Sequence, residues 1–152
     1  MKEILMKGAR ELKTTCKEIV EDCIVHRLEV VHELEERFKT IEGKCVGYGL
    51  AANQLGIIER AAILSPTALI EDAYVMLNPE ILRHGKDIVY GNEGCLSQPG
   101  VIKEIGRYRV LDIQYRNKDW KLITRTVKSL EARIIQHELD HLNGLDCLEN
   151  RL

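Results

Sequence analysis

The sequence predicts an α+β fold with a mostly antiparallel sheet. Two observations support this class. Apolar residues recur at helical spacing near the start and near the end of the chain, and the segments between them show the short alternating pattern that is typical of strands. The predicted order is therefore helix, several short strands, helix. A doubly wound fold would need strands and helices in alternation, which this order does not provide.

Length and composition are those of an ordinary globular protein. The chain has 152 residues, of which 45% are hydrophobic and 30% charged, and its formal net charge is −2. We expect one domain over residues 1–152, without repeats or linkers. The charge balance argues against direct contact with nucleic acid, and no apolar run is long enough to predict a membrane span.

The cysteines argue for a reducing compartment. Their number is odd and they form no Cys-x-x-Cys pair: Cys16, Cys23, Cys45, Cys95 and Cys147. A disulfide framework is therefore not predicted. The first eight residues also lack the apolar core and cleavage site of a secretory leader, so we expect a cytosolic protein.

A long amphipathic helix is predicted over residues 17–41, after an irregular arm formed by residues 1–16. The opposite side of this helix is rich in Glu, Lys and Arg, and residues 42–44 are predicted to end it. The apolar stripe recurs at steps of three and four and consists of Val20, Ile24, Leu28, Val31, Leu34, Phe38 and Ile41.

Residues 47–56 combine glycines, small side chains and the two amides Asn53 and Gln54. This composition is typical of neither a strand nor a good helix, and it lets the backbone come close to another group. The alternative is a structural turn between the helix and the sheet. A phosphate-binding loop is excluded because no Gly-x-Gly-x-x-Gly and no Gly-Lys-Ser/Thr occurs.

The middle of the chain predicts short strands. They lie at residues 60–64, at residues 74–78 with Pro79 as terminator, and around residues 88–90. Residues 92–100 are predicted to be a loop because of their glycine and proline content, and this loop contains Cys95. A hairpin follows, with strands at residues 110–115 and 120–127. In its first strand Leu111, Ile113 and Tyr115 share one face.

The last helix is predicted over residues 129–143, with Ser129 as N-cap, Glu131 in the first turn and Gly144 as the stop. It contains a His-Glu-x-x-His pattern at residues 137–141. Residues four apart lie about 40° apart around a helix axis and about 6 Å along it, so His137 and His141 can bind one metal ion from one face.

Glu138 lies on the flank of that face, where it can act as a general base on a metal-bound water without being a ligand. The alternative is a charged, solvated helix face with two incidental histidines. A catalytic site of the zinc type also needs a third protein ligand.

Two cysteines are candidates for that third ligand. Cys95 lies on the predicted loop next to Gly94, and thiolate is a preferred ligand of zinc-class metals. Cys147, six residues after His141, is the alternative to Cys95. The residues alone put Cys95 only modestly ahead.

Three segments together resemble the signature motifs of the peptide deformylase family: Gly-Tyr-Gly-Leu-Ala-Ala-Asn-Gln at 47–54, Glu-Gly-Cys-Leu-Ser at 93–97 and Gln-His-Glu-Leu-Asp-His at 136–141. Each motif alone is weakly to moderately specific, but the trio, in the family's order and at similar spacings, is highly specific. The resemblance covers roughly residues 19–152 and implies mostly antiparallel sheets packed around a central His-Glu-x-x-His helix.

The resemblance also implies roles for individual residues. Cys95, His137 and His141 would bind the metal, with a water in the fourth position. Glu138 would act as base on that water and then deliver the proton to the leaving amine.

The other two motifs imply contacts with the substrate. Gln54 and the backbone N–H of Leu96 would hold the formyl oxygen, which agrees with the need of a developing oxyanion for fixed donors. Gly49 and Gly94 would let an extended peptide pair with exposed backbone.

The implied reaction is hydrolytic removal of the N-formyl group from N-formylmethionyl peptides of newly made proteins. The resemblance implies a bacterial cytoplasmic enzyme that works near the ribosome, and we expect a monomer. The implied cofactor is one divalent ion, usually Fe²⁺, which Zn²⁺, Ni²⁺ or Co²⁺ can replace; Cys-His-His donors do not distinguish these ions. A thiolate with ferrous iron implies sensitivity to oxidation.

The chain departs from the family pattern at Ile102, seven residues after Cys95, where members often have an arginine. Lys103 follows, but an ammonium does not reproduce a bidentate guanidinium. Arg107 stands where the family often has a second arginine, and we expect it to pair with Asp140.

Two alternatives to a deformylase remain. One is a generic His-Glu-x-x-His metallopeptidase in which Cys95 is incidental. The other is a catalytically weak homologue that binds metal and peptide. Ile102 favours it, as does the N-terminal arm, which lacks the Pro-Asp turn and the Leu-Arg pair that many family members have there.

Overall fold

The computed structural model describes residues 1–21, 23–41 and 48–152. Within them lie two α-helices, α1 (Ile24–Lys39) and α2 (Ser129–Leu142). The strands are β1 (Gly49–Ala51), β2 (Ala61–Leu64), β3 (Tyr74–His84), β4 (Ile88–Cys95), β5 (Gln98–Tyr108), β6 (Val110–Arg116) and β7 (Leu122–Lys128). No helix of the described residues combines the length and the apolar character that crossing a membrane requires.

The strands form antiparallel sheets, so the predicted class is confirmed. In the described part of the chain, β1, β2, β3, β6 and β7 make a five-stranded sheet in that order, and β4 pairs with β5 in a separate hairpin. Every strand pairing in both sheets is antiparallel. Helix α2 packs against both sheets, and α1 packs on β1 and β2.

One end of the five-stranded sheet is covered on both faces. Along β2, Ala61 and Ile63 join the apolar cluster under α1, while Ala62 and Leu64 join the cluster under α2. Successive residues of a strand point to opposite faces, so all four side chains are buried. A continuous apolar run is therefore what this strand needs.

The hairpin of β6 and β7 has one solvated face instead. Leu111, Ile113 and Tyr115 are buried and alternate with partly exposed residues. The prediction that these three side chains share one face is confirmed.

Helix α1 is shorter than the predicted helix. It begins at Ile24, and Val20, Ile24 and Leu28 of the predicted stripe are 60%, 57% and 52% exposed. Leu34 and Phe38 are fully buried, as the stripe predicts. The predicted end at residues 42–44 lies outside the described residues, as do Cys45 and Gly47.

A side chain from another element explains the late start of α1. Asn78 Nδ2 donates to the Ile19 carbonyl, and the Ile19 N–H donates to Asn78 Oδ1, both at 2.8 Å. Lys17 forms a bridge with Glu59. The backbone groups that a helix would use are thus bonded to the sheet, and this tertiary pairing overrides the local helical pattern.

The glycine-rich segment contains regular structure, contrary to the prediction. Gly49–Ala51 is β1, paired with β2, and Ala52–Leu55 is a 3₁₀ turn. The Gln54 side chain stabilises this turn by accepting a hydrogen bond from the Ala51 N–H at 2.9 Å. Small side chains fit here because the strand is buried on both faces.

Two predicted strand ends were also wrong. Strand β3 continues beyond Pro79 to His84, with a register shift between Leu77 and Glu80 that accommodates the proline. The predicted loop at residues 92–100 is instead the end of β4, a turn at Leu96 and Ser97, and the start of β5.

Strand β5 was not predicted at all. Pairing with β4 holds it, and Arg133 of α2 donates to the carbonyls of Ile105 and Gly91 at 2.8 and 3.5 Å. These contacts compensate for the low strand propensity of a segment with one proline and two glycines.

The ends of α2 differ in how well the sequence predicts them. The N-cap is Lys128, which makes no side-chain capping hydrogen bond, rather than Ser129, which has a φ of 54°. The N–H of Ser129 donates to the Arg109 carbonyl instead. Gly144 ends the helix with a φ of 70°, as predicted, and its N–H donates to the His141 carbonyl.

Gly144 provides a test of this packing. A Cβ there would lie 2.8 Å from the backbone of Lys13, whereas a Cβ at Gly100, whose φ is also positive, would meet nothing within 4 Å. We expect Gly100→Ala to cost about 1–2 kcal/mol through the backbone conformation alone, and Gly144→Ala to cost about 1–3 kcal/mol more through overpacking. Urea unfolding followed by Trp120 fluorescence measures both, and equal losses would contradict the close approach.

Candidate metal centre

Helix α2 and the end of β4 bring three predicted ligands together. The rings of His137 and His141, one helical turn apart, have centroids separated by 5.2 Å. Nε2 of His141 lies 3.3 Å from Sγ of Cys95. The two histidines of α2 therefore lie next to the thiol of Cys95, which is at the end of β4.

Cys147 joins this group rather than replacing Cys95. The candidate ligand atoms of Cys95, His137, His141 and Cys147 all lie within 4.8 Å of one another. Cys95, His141 and Cys147 are buried, and the side chain of His137 is 12% exposed. Cys147, the alternative candidate for the third ligand, thus adds a fourth possible donor atom to the group formed by Cys95, His137 and His141.

The surroundings of these donors fit a metal ion. Nδ1 of His137 donates to Oε1 of Glu93 at 2.8 Å, which leaves Nε2 for a metal. A carboxylate on the far nitrogen of a ligating histidine is a common arrangement that fixes the ring and its tautomer. Two sulfur and two imidazole donors suit an ion of the zinc class.

Cys95 and Cys147 change each other's pKa. The hydrogen bond with Cys147 is the largest of the effects that lower the pKa of Cys95 to about 2, and hydrogen bonds with His137 and His141 lower it further. The same bond raises the pKa of Cys147. These hydrogen bonds therefore favour the thiolate form of Cys95, which is the form that binds metal ions.

Glu138 lies beside the donors with one free oxygen. Burial raises its pKa, and the neighbouring imidazoles of His137 and His141 oppose that rise. Among the described residues, no group forms a hydrogen bond with its buried Oε2. A buried carboxylate with a raised pKa and a free oxygen is suited to taking a proton from a water.

Because Gly49 has no side chain, the Glu138 carboxylate can occupy the space beside its Cα. A Cβ at this position would collide with Glu138 Oε1 and lie 2.9 Å from its Cδ. The backbone of β1 therefore approaches the carboxylate more closely than any larger residue would allow.

Glu93 connects the hairpin to α2 through buried ion pairs. Both oxygens accept from Arg107 at 2.9 Å, and Oε2 also accepts from Arg133 at 2.7 Å. Burial alone would raise the pKa of Glu93, but the hydrogen bonds of Arg107 and His137 outweigh it and lower the pKa to about 2.

Arg107 also pairs with Asp140 at 2.6 Å, which confirms that prediction, and the two side chains are only 7% and 14% exposed. The importance of Glu93 was missed because its segment was predicted to be a loop. A strand prediction would have placed Glu93 and Cys95, two residues apart, on the same side of the chain.

Gln54 and Leu96 lie next to Cys95. Nε2 of the buried Gln54 donates to Ser97 Oγ at 3.0 Å and lies 3.9 Å from Cys95 Sγ. Leu96 directly follows Cys95 in the β4–β5 turn. Asn53, whose role the sequence did not predict, donates to the His141 carbonyl at 2.6 Å and so ties the 3₁₀ turn to α2.

A cavity of about 120 Å³ opens beside these residues. Its lining includes Gly49, Gln54, Gly94, Cys95, Leu96, His137 and Glu138, together with Leu130 and Ile134. Ile102 is 60% exposed and is not part of this lining.

A larger cleft of about 490 Å³ lies along the opposite face of α2, beside Gln136, Leu139 and Asn143. None of the four candidate ligands lines this cleft. The chemistry therefore belongs to the smaller cavity.

Comparisons with known proteins agree with this geometry. The family described as polypeptide deformylase matches residues 1–151. A peptide deformylase of Helicobacter pylori is 33% identical over 149 residues, which is 94% of this chain and 82% of that protein. One of Synechocystis is 37% identical over 111 residues, or 70% of this chain, and the match spans only 59% of the relative's length.

Solved structures show the same fold. The crystal structure of peptide deformylase from Thermotoga maritima has a TM-score of 0.84 and 30% identity, with 95% of this chain and 93% of that chain covered. A class I type b peptide deformylase from Acinetobacter baumannii with Met-Ala-Ser bound has a TM-score of 0.85 and 27% identity, with 95% and 96% covered.

The low pKa of Glu93 predicts a loss of stability in acid. The pKa is about 2 in the folded protein and 4.5 ordinarily, so Glu93 stabilises the fold fully above about pH 4.5 and progressively less as the pH falls toward 2. We expect Glu93→Gln to cost about 3–5 kcal/mol at pH 7, because it leaves buried arginines without their counter-charge. This difference should shrink by about 1 kcal/mol by pH 4.

Urea unfolding of chelator-treated protein between pH 7 and pH 4 measures this difference. Glu36→Gln is the matched control, since Glu36 pairs with Lys39 on the exposed surface, and we expect it to change stability little. A constant difference between Glu93→Gln and the unmodified protein over this range would contradict the prediction.

Proposed function

This chain belongs to the polypeptide deformylase family, and from that membership we propose that it hydrolyses the N-formyl group of N-formylmethionyl peptides. The observation that carries the proposal is the convergence of Cys95, His137 and His141 beside the buried carboxylate of Glu138. These are the residues that such a metal-dependent hydrolysis needs. Cys95, His137 and Glu138 line one cavity, and Nε2 of His141 lies 3.3 Å from Sγ of Cys95.

We propose that one divalent ion is held by Cys95, His137 and His141. Such an ion supplies a Lewis acid that lowers the pKa of a water molecule to about 7. Fe²⁺ is the proposed ion in the cell, with Zn²⁺, Ni²⁺ or Co²⁺ as replacements, because the donor set alone does not select among them.

Glu138 moves the protons in this proposal. Its free Oε2 takes a proton from the attacking water, and the same oxygen then gives that proton to the departing amine of methionine. Burial supports this double role, since it raises the pKa of the carboxyl group toward the range in which both transfers are favourable.

Gln54 and Leu96 stabilise the negative charge on the formyl oxygen. Nε2 of Gln54 has two hydrogens, of which one is used by Ser97 and the other makes only a long contact with Cys95. The N–H of Leu96 follows the metal-binding cysteine directly. Two fixed donors of this kind act where charge develops during attack.

The substrate peptide would lie along the edges of β1 and β4, with Gly49 and Gly94 allowing close backbone approach. Leu130 and Ile134 give the cavity an apolar side that suits a methionine side chain. The Acinetobacter relative, whose structure contains Met-Ala-Ser, supports this peptide class.

The proposed location is the bacterial cytoplasm, near ribosomes that produce the substrate, with the enzyme acting as a monomer. Bacterial sources of the relatives support this setting. A second candidate function is a catalytically weak homologue that binds metal and peptide. The exposed Ile102, at the position where the family often has an arginine, favours it.

Deformylation of formyl-Met-Ala by anaerobically purified, Fe²⁺-loaded protein tests the proposal. We expect turnover in the unmodified protein and a loss of about 10²–10⁴-fold in Glu138→Gln, because the neutral amide cannot accept the proton. The metal content of the variant should be unchanged, since Glu138 is not a ligand. Bound metal without turnover in the folded, unmodified protein would support the weak homologue instead.

Gly49→Ala tests the close approach of β1 to the base. The added Cβ would displace the Glu138 carboxylate, so we expect turnover to fall at least about 10²-fold while the metal is retained. Gly85→Ala is the matched control, because its Cβ would lie 3.6 Å from Val110, an ordinary contact. Turnover of Gly49→Ala close to that of the control would contradict this role of Gly49.

A further inference from the structure

We propose that Cys147 is a fourth protein ligand of the metal, so that without substrate the ion is held by two cysteines and two histidines. The second part of the inference rests on the proposed function: Cys147 leaves the metal before a water can take its position.

The position of Cys147 is fixed by surrounding contacts. Gly144 turns the chain at the end of α2, and the Leu145 N–H donates to the Asp140 carbonyl at 2.9 Å. The carbonyl of Cys147 accepts from Arg107 at 2.9 Å. Because Arg107 also holds Glu93 and Asp140, one guanidinium places Cys147 relative to the other ligands.

The donor spacing suits a closed site. Metal–sulfur bonds of about 2.3 Å and metal–nitrogen bonds of about 2.0–2.1 Å in a tetrahedron place neighbouring donors about 3.3–3.8 Å apart. Sγ of Cys95 and Nε2 of His141 lie 3.3 Å apart, and the whole group spans no more than 4.8 Å. Small side-chain adjustments therefore bring all four donors to bonding distance.

A buried cysteine is more often a small apolar residue than a ligand. Cys147 does pack against Leu148 and Val101. Its Sγ, however, lies within 4.8 Å of the Sγ of Cys95 and of a ring nitrogen of both His137 and His141, so it faces the donors rather than apolar side chains alone.

A fourth protein ligand changes what the site does. Structural zinc sites have four protein ligands, while catalytic sites keep one position for water or substrate. When Cys147 binds, its S–H proton goes to solvent and the ion gains a second thiolate. An ion would then be held more tightly, and turnover would be limited by the exchange of Cys147 for water, in which the departing thiolate takes up a proton from solvent.

Cobalt-loaded protein tests the ligand directly. X-ray absorption at the cobalt edge of the unmodified protein should count two sulfur neighbours, and Cys147→Ala should have one. The thiolate-to-cobalt charge-transfer absorption should fall by about half in Cys147→Ala. We also expect this variant to lose cobalt to a chelator at least tenfold more readily.

Cys16→Ala is the matched control, because Cys16 is buried in the core under α2 and is not part of the four-residue group. Its cobalt spectrum should equal that of the unmodified protein. One sulfur neighbour in the unmodified protein, or an unchanged spectrum in Cys147→Ala, would overturn the proposal. The sulfur count in the unmodified protein needs no variant. The proposal can therefore still be refuted if Cys147→Ala does not fold.

Deformylation of formyl-Met-Ala, measured on the same samples, separates the two hypotheses. Two sulfur neighbours without turnover in any sample would support Cys147 as a ligand and contradict the proposed function. Turnover by unmodified protein whose cobalt has one sulfur neighbour would support the proposed function and contradict Cys147 as a ligand. Two sulfur neighbours, with turnover that rises in Cys147→Ala but not in Cys16→Ala, would support both.

Discussion

The candidate site depends on one buried guanidinium. Arg107 of β5 donates to Glu93 of β4, to Asp140 of α2 and to the carbonyl of Cys147. These three partners belong to separate parts of the chain that together supply the ligands. Removing one partner of a buried ion pair is strongly destabilising, because the remaining charge loses part of its compensation. The network therefore holds the hairpin, the helix and the C-terminal segment in one arrangement.

The two-sided packing of the sheet provides the rigid support for this arrangement. Small residues in β1 and β2, among them Ala51, Ala61 and Ala62, let helices approach both faces closely. Gly49 at the start of β1 extends the same principle to the site, where the backbone lies against Glu138. A base held this firmly loses little freedom when substrate binds, which is the condition for efficient proton transfer.

Cys147 decides whether this fold favours hydrolysis or tight retention of the metal. Three protein ligands and a free position favour hydrolysis, whereas four ligands favour tight metal retention. Sγ of Cys147 lies within 4.8 Å of Sγ of Cys95 and of the two imidazoles. The balance between a reactive metal and a retained one is therefore set by a residue that lies outside the three signature motifs.

Local patterns determined several features of this protein. The His-Glu-x-x-His spacing puts His137, Glu138 and His141 on adjoining faces of a helix, and alternation in β6 separates buried from exposed residues. Both follow from the geometry of a single element, so they can be predicted from the residues of that element. The three motifs likewise pointed to the family without a structure.

Contacts between distant residues decided the rest. Asn78 keeps the chain near Ile19 from joining α1, and pairing with β5 converts the predicted loop around Cys95 into a hairpin. Glu93 and the carbonyl of Cys147 are both held near the histidines by hydrogen bonds from Arg107, which lies on a different element. Periodicity shows which faces are apolar, but it carries no information about which segments meet, because that depends on packing across the whole chain.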